Sequence, residues 1–268
     1  MMRGHIWPTF LIALAIYSPA SAATLTEVVS ANRTSVIYVK VQKVVENTGA
    51  VTEQSGTGFI VNNEGFVITA HHVISGGPGI QIDIMGATGS SAAQLEPMEV
   101  IAENSNFDVA ILRFKNSASP RRPVSLGDPW KLGAGDTIYA LGYPSNEEWF
   151  HTDGKLAGRG QKGSWSTTAV LNPGMSGGPI FNTRGEVVAM VWGGVATPGI
   201  AGINRILPVN LMADMLKYAG AVARVQPADT PAIPIEGIEV GYRLDRVQES
   251  YNGMSPTTRT YSNRFQAR

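Results

Sequence analysis

The chain has 268 residues, of which 43% are hydrophobic, so it can bury a sizeable core. Its 21 basic and 21 acidic side chains cancel, without the basic excess on which nucleic-acid and membrane-surface partners usually depend. The 30 glycines point to a turn-rich chain of short strands, and with no cysteine the fold has to hold without disulfides.

The chain opens on a basic start, Met1-Met2-Arg3-Gly4-His5, followed by an apolar run from Ile6 to Tyr17 and then Ser18-Pro19-Ala20-Ser21-Ala22. This pattern predicts a secretory leader over residues 1–22, cleaved after Ala22 at an Ala-x-Ala site. An apolar run of about a dozen residues falls short of the roughly 20 needed to span a bilayer, so stable membrane insertion after cleavage is not expected. Strand-forming runs follow, Ser35 to Val41 and Phe66 to Thr69, the second leading into Thr69-Ala70-His71-His72-Val73. Asp108 then stands at the head of the apolar run Val109-Ala110-Ile111-Leu112.

Residues 116–123 are polar, Pro-containing and aperiodic, and read as a linker. Beyond them comes another strand-like run, Thr137 to Tyr143. The Glu147-Glu148-Trp149-Phe150-His151 cluster has poor metal-ligand spacing and reads as a solvated loop, so neither a metal nor a cofactor is expected. The segment Asn172-Pro173-Gly174-Met175-Ser176-Gly177-Gly178-Pro179 leads into a hairpin through Asn182-Thr183-Arg184-Gly185 and the run Val187 to Trp192. A helix is expected over 210–219, capped by Asn210, with Leu211, Met212, Met215 and Leu216 on its apolar face and Gly220 at its end. From residue 220 onward, Pro227, Pro231, Pro234 and Pro256 break any long helix. Ile235 to Leu244 could add a strand or two, and the final residues, with Arg259, Arg264 and Arg268, read as disordered, so the extension is expected to be partly disordered.

The chemistry concentrates on three of these segments. A serine hydroxyl is a weak nucleophile until a base takes its proton, and imidazole, titrating near 6.5 in model peptides, can accept and return that proton near neutrality. A carboxylate can fix the ring tautomer and stabilise the imidazolium. Glycines around Ser176 let its hydroxyl and the N–H groups of Gly174 and Ser176 face one small volume, which is how an oxyanion hole is built. Gly174 to Gly178 also satisfies the G-x-S-x-G pattern of the α/β-hydrolase nucleophile elbow. That scaffold, however, needs a helix directly after the serine and a histidine downstream of it. Here a hairpin follows, and the only histidines are His5, His71, His72 and His151, all upstream.

The three segments resemble the His, Asp and Ser boxes of trypsin-like, chymotrypsin-fold serine proteases, and in particular their bacterial HtrA/Deg-like members. Those proteins also carry boxes similar to Gly56-Thr57-Gly58-Phe59-Ile60 and to Ile206-Leu207-Pro208-Val209-Asn210-Leu211. The likeness covers roughly residues 33–219. It implies an all-β fold of two packed antiparallel β-barrels with a C-terminal helix: barrel 1 over about 33–115, barrel 2 over about 124–209 and the helix over about 210–219. The protease domain would run over 23–219, with an extension over 220–268 too short for the PDZ module that often follows in this family.

The activity implied is a serine endopeptidase acting on polypeptides, exported to the periplasm or secreted. Mapped onto the boxes, the resemblance makes Ser176 the nucleophile, His72 the general base and Asp108 its orienter, with Gly174 and Ser176 forming the oxyanion hole. Adjacent histidines cannot be told apart by composition, so His71 stands as the alternative to His72. The substrate pocket would be walled by Ala169, Val170, Leu171, Val191, Trp192 and Gly193. The stretch around Val191 is similar to that of bacterial glutamyl endopeptidases, which place a histidine there. Valine in its place, and no Asp or Glu among the walls, leave a small or medium apolar side chain as the expected preference. Met175 departs from the family, where an aspartate or asparagine holds the turn by polar contact, and together with the unexplained tail it motivates one rival reading, a non-catalytic binding protein on a protease scaffold.

Overall fold

A computed structural model describes residues 22–115, 120–144, 147–160, 163–194 and 203–220. The expected leader, apart from Ala22, and the extension beyond Gly220 lie outside the described residues, as do 116–119 of the expected linker.

The chain enters through a short helix, α1 (Leu25–Asn32), closed at its N-terminus by a reciprocal pair: the Glu27 N–H donates to the Thr24 hydroxyl, and the Thr24 N–H donates to the Glu27 carboxylate at 2.7 Å. The Ala23 N–H donates to Thr183 O at 2.7 Å, and Val28 is buried, so this helix lies against the second half of the molecule before the first strand begins.

Six strands follow: β1 (Val36–Val45), β2 (Val51–Ile60), β3 (Phe66–Ala70), β4 (Ile80–Thr88), β5 (Glu96–Asn104) and β6 (Val109–Phe114). They pair antiparallel in the order β1-β2-β3-β6-β5-β4, and β4 returns to β1 to close a barrel, leaving no free edge. β-Branched and aromatic residues fill β1, where Val36, Ile37, Tyr38 and Val39 are all buried, because one face looks into the barrel and the other meets the second barrel. A one-turn helix, α2 (His71–Ile74), follows β3 directly.

The second set comprises β7 (Ser125–Leu126), β8 (Thr137–Gly142), β9 (Phe150–Arg159), β10 (Trp165–Thr167), β11 (Pro179–Phe181), β12 (Glu186–Gly194) and β13 (Asn204–Pro208). The order β11-β8-β9-β10-β13-β12, closed by the β11–β12 pairing, makes a second six-stranded antiparallel barrel, with β7 added in parallel outside β12. Its interior is filled by Ile138, Ala140, Leu156, Trp165, Met175, Ile180 and Val188 among others. The fold is therefore the expected all-β pair of barrels.

Tyr143 welds the two. It is fully buried just after β8, meets Tyr38 of β1 edge-on at 5.6 Å and Trp149 at 5.2 Å, and donates its hydroxyl to Val36 O at 3.2 Å. The larger hydrophobic cluster runs from β1 through Phe181, Val187 and Met190 of the second barrel to Met212, Met215 and Leu216 at the C-terminus.

The terminal helix differs from expectation at its start. Val209–Met212 forms a 3₁₀ turn, and only then does α3 (Ala213–Tyr218) begin. Asn210 does not cap it, because Asn210 lies inside that tighter turn, where its backbone O accepts from the Ala213 N–H. Gly220 ends the helix with φ +67°, donating its N–H to Lys217 O, while the Asn62 side chain of barrel 1 donates to Ala219 O at 2.6 Å.

Candidate active site

His72 and Asp108 come together because β3 and β6 are neighbours, their register placing Ala70 opposite Val109. His72 sits in α2 just past the end of β3, and Asp108 just before β6. Among the described residues Asp108 is the only non-glycine with positive φ, at 55°, a left-handed conformation that aspartate tolerates better than most side chains. The turn leading to it is built by the Asn104 side chain, which accepts from the N–H groups of Asn106 and Phe107.

The Asp108 carboxylate then makes two contacts with one residue. Oδ1 accepts the His72 N–H at 2.7 Å, and Oδ2 lies 2.6 Å from His72 Nδ1. An ionised carboxylate only accepts, so Nδ1 carries the proton and Nε2 is left with a lone pair. The His72 side chain is 47% exposed and that of Asp108 14%, so the carboxylate is sheltered while the ring remains accessible. The neighbouring His71 turns elsewhere: its Nε2 is 3.7 Å from Glu103 on β5, and only its backbone N–H reaches Asp108, at the carbonyl. Beneath α2, Gly56 of β2 leaves room for Val73, where a Cβ would stand 2.5 Å from Val73 Cγ1. Gln54 donates to the carbonyls of His72 and Val73.

Ser176 arrives from barrel 2 on a turn fixed peptide by peptide. Met175 N–H donates to Asn172 O at 3.0 Å across Pro173 and Gly174, and Gly174 has φ 95°, as a type II turn with proline first and glycine second requires. Gly178 N–H returns to Met175 O, and Gly177 N–H donates to Val191 O while Val191 N–H donates to Gly178 O, anchoring the turn to β12. Among the described residues the N–H groups of Gly174 and Ser176 donate to no backbone carbonyl. Those two donors are what an oxyanion would need. Gly177 (φ 84°) packs so closely on barrel 1 that a Cβ there would run into Thr57 O and Thr69 Oγ1 and stand 2.6 Å from Ala70 N, two residues before His72. The serine turn therefore lies directly against β3, the strand that leads into His72.

Met175 is fully buried in the barrel-2 core, and its thioether sulfur accepts from the Asn172 N–H at 3.5 Å. Of the expected pocket walls, Val170 is 55% exposed, and Leu171 and Trp192 are half-buried. Gly193 sits at a bulge in β12 with φ 143° and open space beside it. Val191 is 1% exposed, within the barrel-2 core, so it holds the serine turn through its backbone and its side chain does not face an open pocket. Ala169 is likewise buried, its carbonyl taken by the Asn204 side chain at 2.7 Å. In the Glu147–His151 cluster, Glu148 lies 3.6 Å from Arg33 and accepts from Ser90, while Phe150 and His151 belong to β9; the cluster ties the barrels together.

The residue that sequence reasoning passed over is Thr57. The sequence offers it only as part of a Gly-Thr-Gly box, yet its hydroxyl contacts the serine turn at Gly174 O, 117 residues along the chain, and its N–H contacts the same turn at Ser176 O.

Comparison with known proteins agrees with this picture. Residues 56–190 match the family described as Trypsin-like peptidase domain. Relatives include a probable periplasmic serine endoprotease DegP-like of Hahella chejuensis, 29% identical over 185 residues, covering 64% of this chain and 37% of that protein. A protein of the same description from Pseudomonas savastanoi pv. phaseolicola is 30% identical, with 65% and 37% covered. The chloroplastic Protease Do-like 1 of Arabidopsis thaliana is 26% identical, with 65% and 42% covered. The chain thus spans well under half the length of these relatives. Among solved structures, the HtrA-type protease AlgW with decapeptide superposes with a TM-score of 0.61 at 21% identity, over 73% of this chain and 67% of that one.

Proposed function

The chain belongs to the trypsin-like peptidase family, and on that premise we propose that it is a serine endopeptidase that cleaves polypeptides through an acyl-enzyme. The observation that carries the reading is the two-point hold of Asp108 on His72 beside the tightly packed serine turn. In the proposed cycle Ser176 Oγ attacks the scissile carbonyl while His72 Nε2 takes its proton, and Asp108 stabilises the imidazolium. The N–H groups of Gly174 and Ser176 receive the oxyanion. His72 returns the proton to the leaving amine, the C–N bond breaks, and water repeats the sequence on the ester to release the acid and restore Ser176.

Substrates are polypeptides seated with a small or medium apolar side chain beside Val170, Leu171, Trp192 and Gly193. The protease unit spans 23–219 and acts in the periplasm or outside the cell after cleavage behind Ala22, as the leader and the printed names of the bacterial relatives support. One of the two motives for a non-catalytic reading, Met175, loses force because that side chain is packed in the barrel core.

The test is casein cleavage by the purified protein and by Ser176→Ala. The variant should fold and lose activity by several orders of magnitude. Retention of more than about a tenth of wild-type turnover would place the nucleophile elsewhere.

A further inference from the structure

The turn that presents Ser176 is made of three successive peptide units between Gly174 and Gly177, and the two outer ones are gripped on both sides. In the Gly174–Met175 unit the N–H donates to Asn172 O, while the carbonyl of Gly174 accepts from the Thr57 hydroxyl at 2.8 Å. In the Ser176–Gly177 unit the N–H donates to Val191 O, while Ser176 O accepts from the Thr57 N–H at 2.9 Å. The middle unit is held through Met175 O, leaving the Ser176 N–H directed away from it. One residue of barrel 1 therefore holds, through its hydroxyl and its backbone, both carbonyls that flank that N–H.

The hydroxyl is also oriented. Its oxygen accepts the Tyr143 N–H at 3.1 Å, so its single proton is directed to Gly174 O. The Thr57 carbonyl is taken by the Thr69 hydroxyl at 2.7 Å, and the whole residue is buried, flanked by glycines that let β2 approach its neighbours. Met175 offers this turn only a weak sulfur contact.

We propose that Thr57 is the positioning residue of the oxyanion hole: its hydroxyl, acting from the opposite barrel, fixes the peptide that sets the direction of the Gly174 and Ser176 donors. The assignment rests on the peptidase reading above. It places the polar lock of the site in the Gly56-Thr57-Gly58 segment rather than in the residue preceding the serine, and it couples barrel docking, through Tyr143, to the readiness of the hole.

Thr57→Val keeps the shape and removes the hydroxyl; Thr57→Ser keeps the hydroxyl. For a chromogenic ester, Thr57→Val should lower kcat at least about tenfold with KM within about twofold, since the lost interaction acts on transition-state charge. Thr57→Ser should recover kcat to within about threefold of wild type. Phosphonate labelling of Thr57→Val should slow in parallel with kcat. A Thr57→Val protein that is less heat-stable but has wild-type kcat well below its melting temperature would overturn the assignment, as would a change confined to KM. Amide exchange on the wild-type protein gives a check that no folding failure can remove. The Tyr143 N–H should exchange at least about 100-fold more slowly than exposed turn amides, and rapid exchange there would overturn the assignment. Wild-type protein that folds but neither turns over the ester nor takes the phosphonate would instead remove the peptidase reading, and the assignment with it.

Discussion

At position 175 a methionine stands in a turn that the resembling proteases hold with a polar side chain, and the barrel interior explains how it is tolerated. Met175 packs among Ile138, Ala140, Ile180 and Val188 with no exposed surface, and its sulfur lies within reach of the Asn172 N–H. Read from sequence alone, an asparagine here would supply a missing polar anchor. In the structure it would bury an amide in an apolar barrel, and the anchor already exists at Thr57. Met175→Asn should therefore destabilise by about 1–3 kcal/mol without raising kcat, whereas Met175→Leu should cost less than about 1.5 kcal/mol and keep kcat within a few fold. Thermal melts with ester turnover check both; a faster Met175→Asn enzyme would show that the turn is loosely held. The His, Asp and Ser segments were legible because each is a contiguous motif. Thr57 was not, because its partners lie 86 and 117 residues away and no local pattern announces a hydrogen bond between barrels.

The strands were readable wherever β-branched runs met turn signals, as in Val36–Val45, Phe66–Ala70 and the Pro179–Phe181 hairpin arm. Helix α1 lies outside the sequence-based expectations, although Thr24-Leu25-Thr26-Glu27 is a capping-box pattern preceding two valines. Asn210 misled because a good capping residue beside an apolar helical pattern does not reveal that the chain first tightens into a 3₁₀ turn after Pro208. How the turns seat on the strands is a close-packing matter, which Gly177 tests. Its φ of 84° and the atoms of Thr57, Thr69 and Ala70 around it leave no place for a methyl group. Gly177→Ala should cost at least about 2–3 kcal/mol and abolish ester turnover, because relief requires moving the serine turn away from β2 and β3, the strand that leads into His72. Near-normal stability and turnover of that variant would contradict the packing described.

Barrel closure and docking belong to the whole molecule, and neither follows from strand-by-strand patterning; only the resemblance to known two-barrel proteases carried that expectation. One hydrophobic cluster runs through both barrels and the terminal helix, so calorimetry should show a single unfolding transition, and two separate transitions would contradict it. Burial raises the Tyr143 phenol above its ordinary value of 10.0, and the neutral form is the one the interface accepts. The stability this gives is complete below about pH 10 and is lost as pH rises further, so the alkaline loss should be smaller in Tyr143→Phe.

Docking would also assemble the proposed chemistry, since His72 and Asp108 come from barrel 1 and Ser176 from barrel 2. The most direct test of that assembly is mass-spectrometric mapping of a fluorophosphonate adduct on the wild-type, His72→Ala and His71→Ala proteins. The label is expected on Ser176 in the wild type, with nearly full labelling of His71→Ala and at least about a thousandfold slower labelling of folded His72→Ala, on the scale of single triad losses. A label on another residue, or loss of labelling in His71→Ala with retention in His72→Ala, would contradict it.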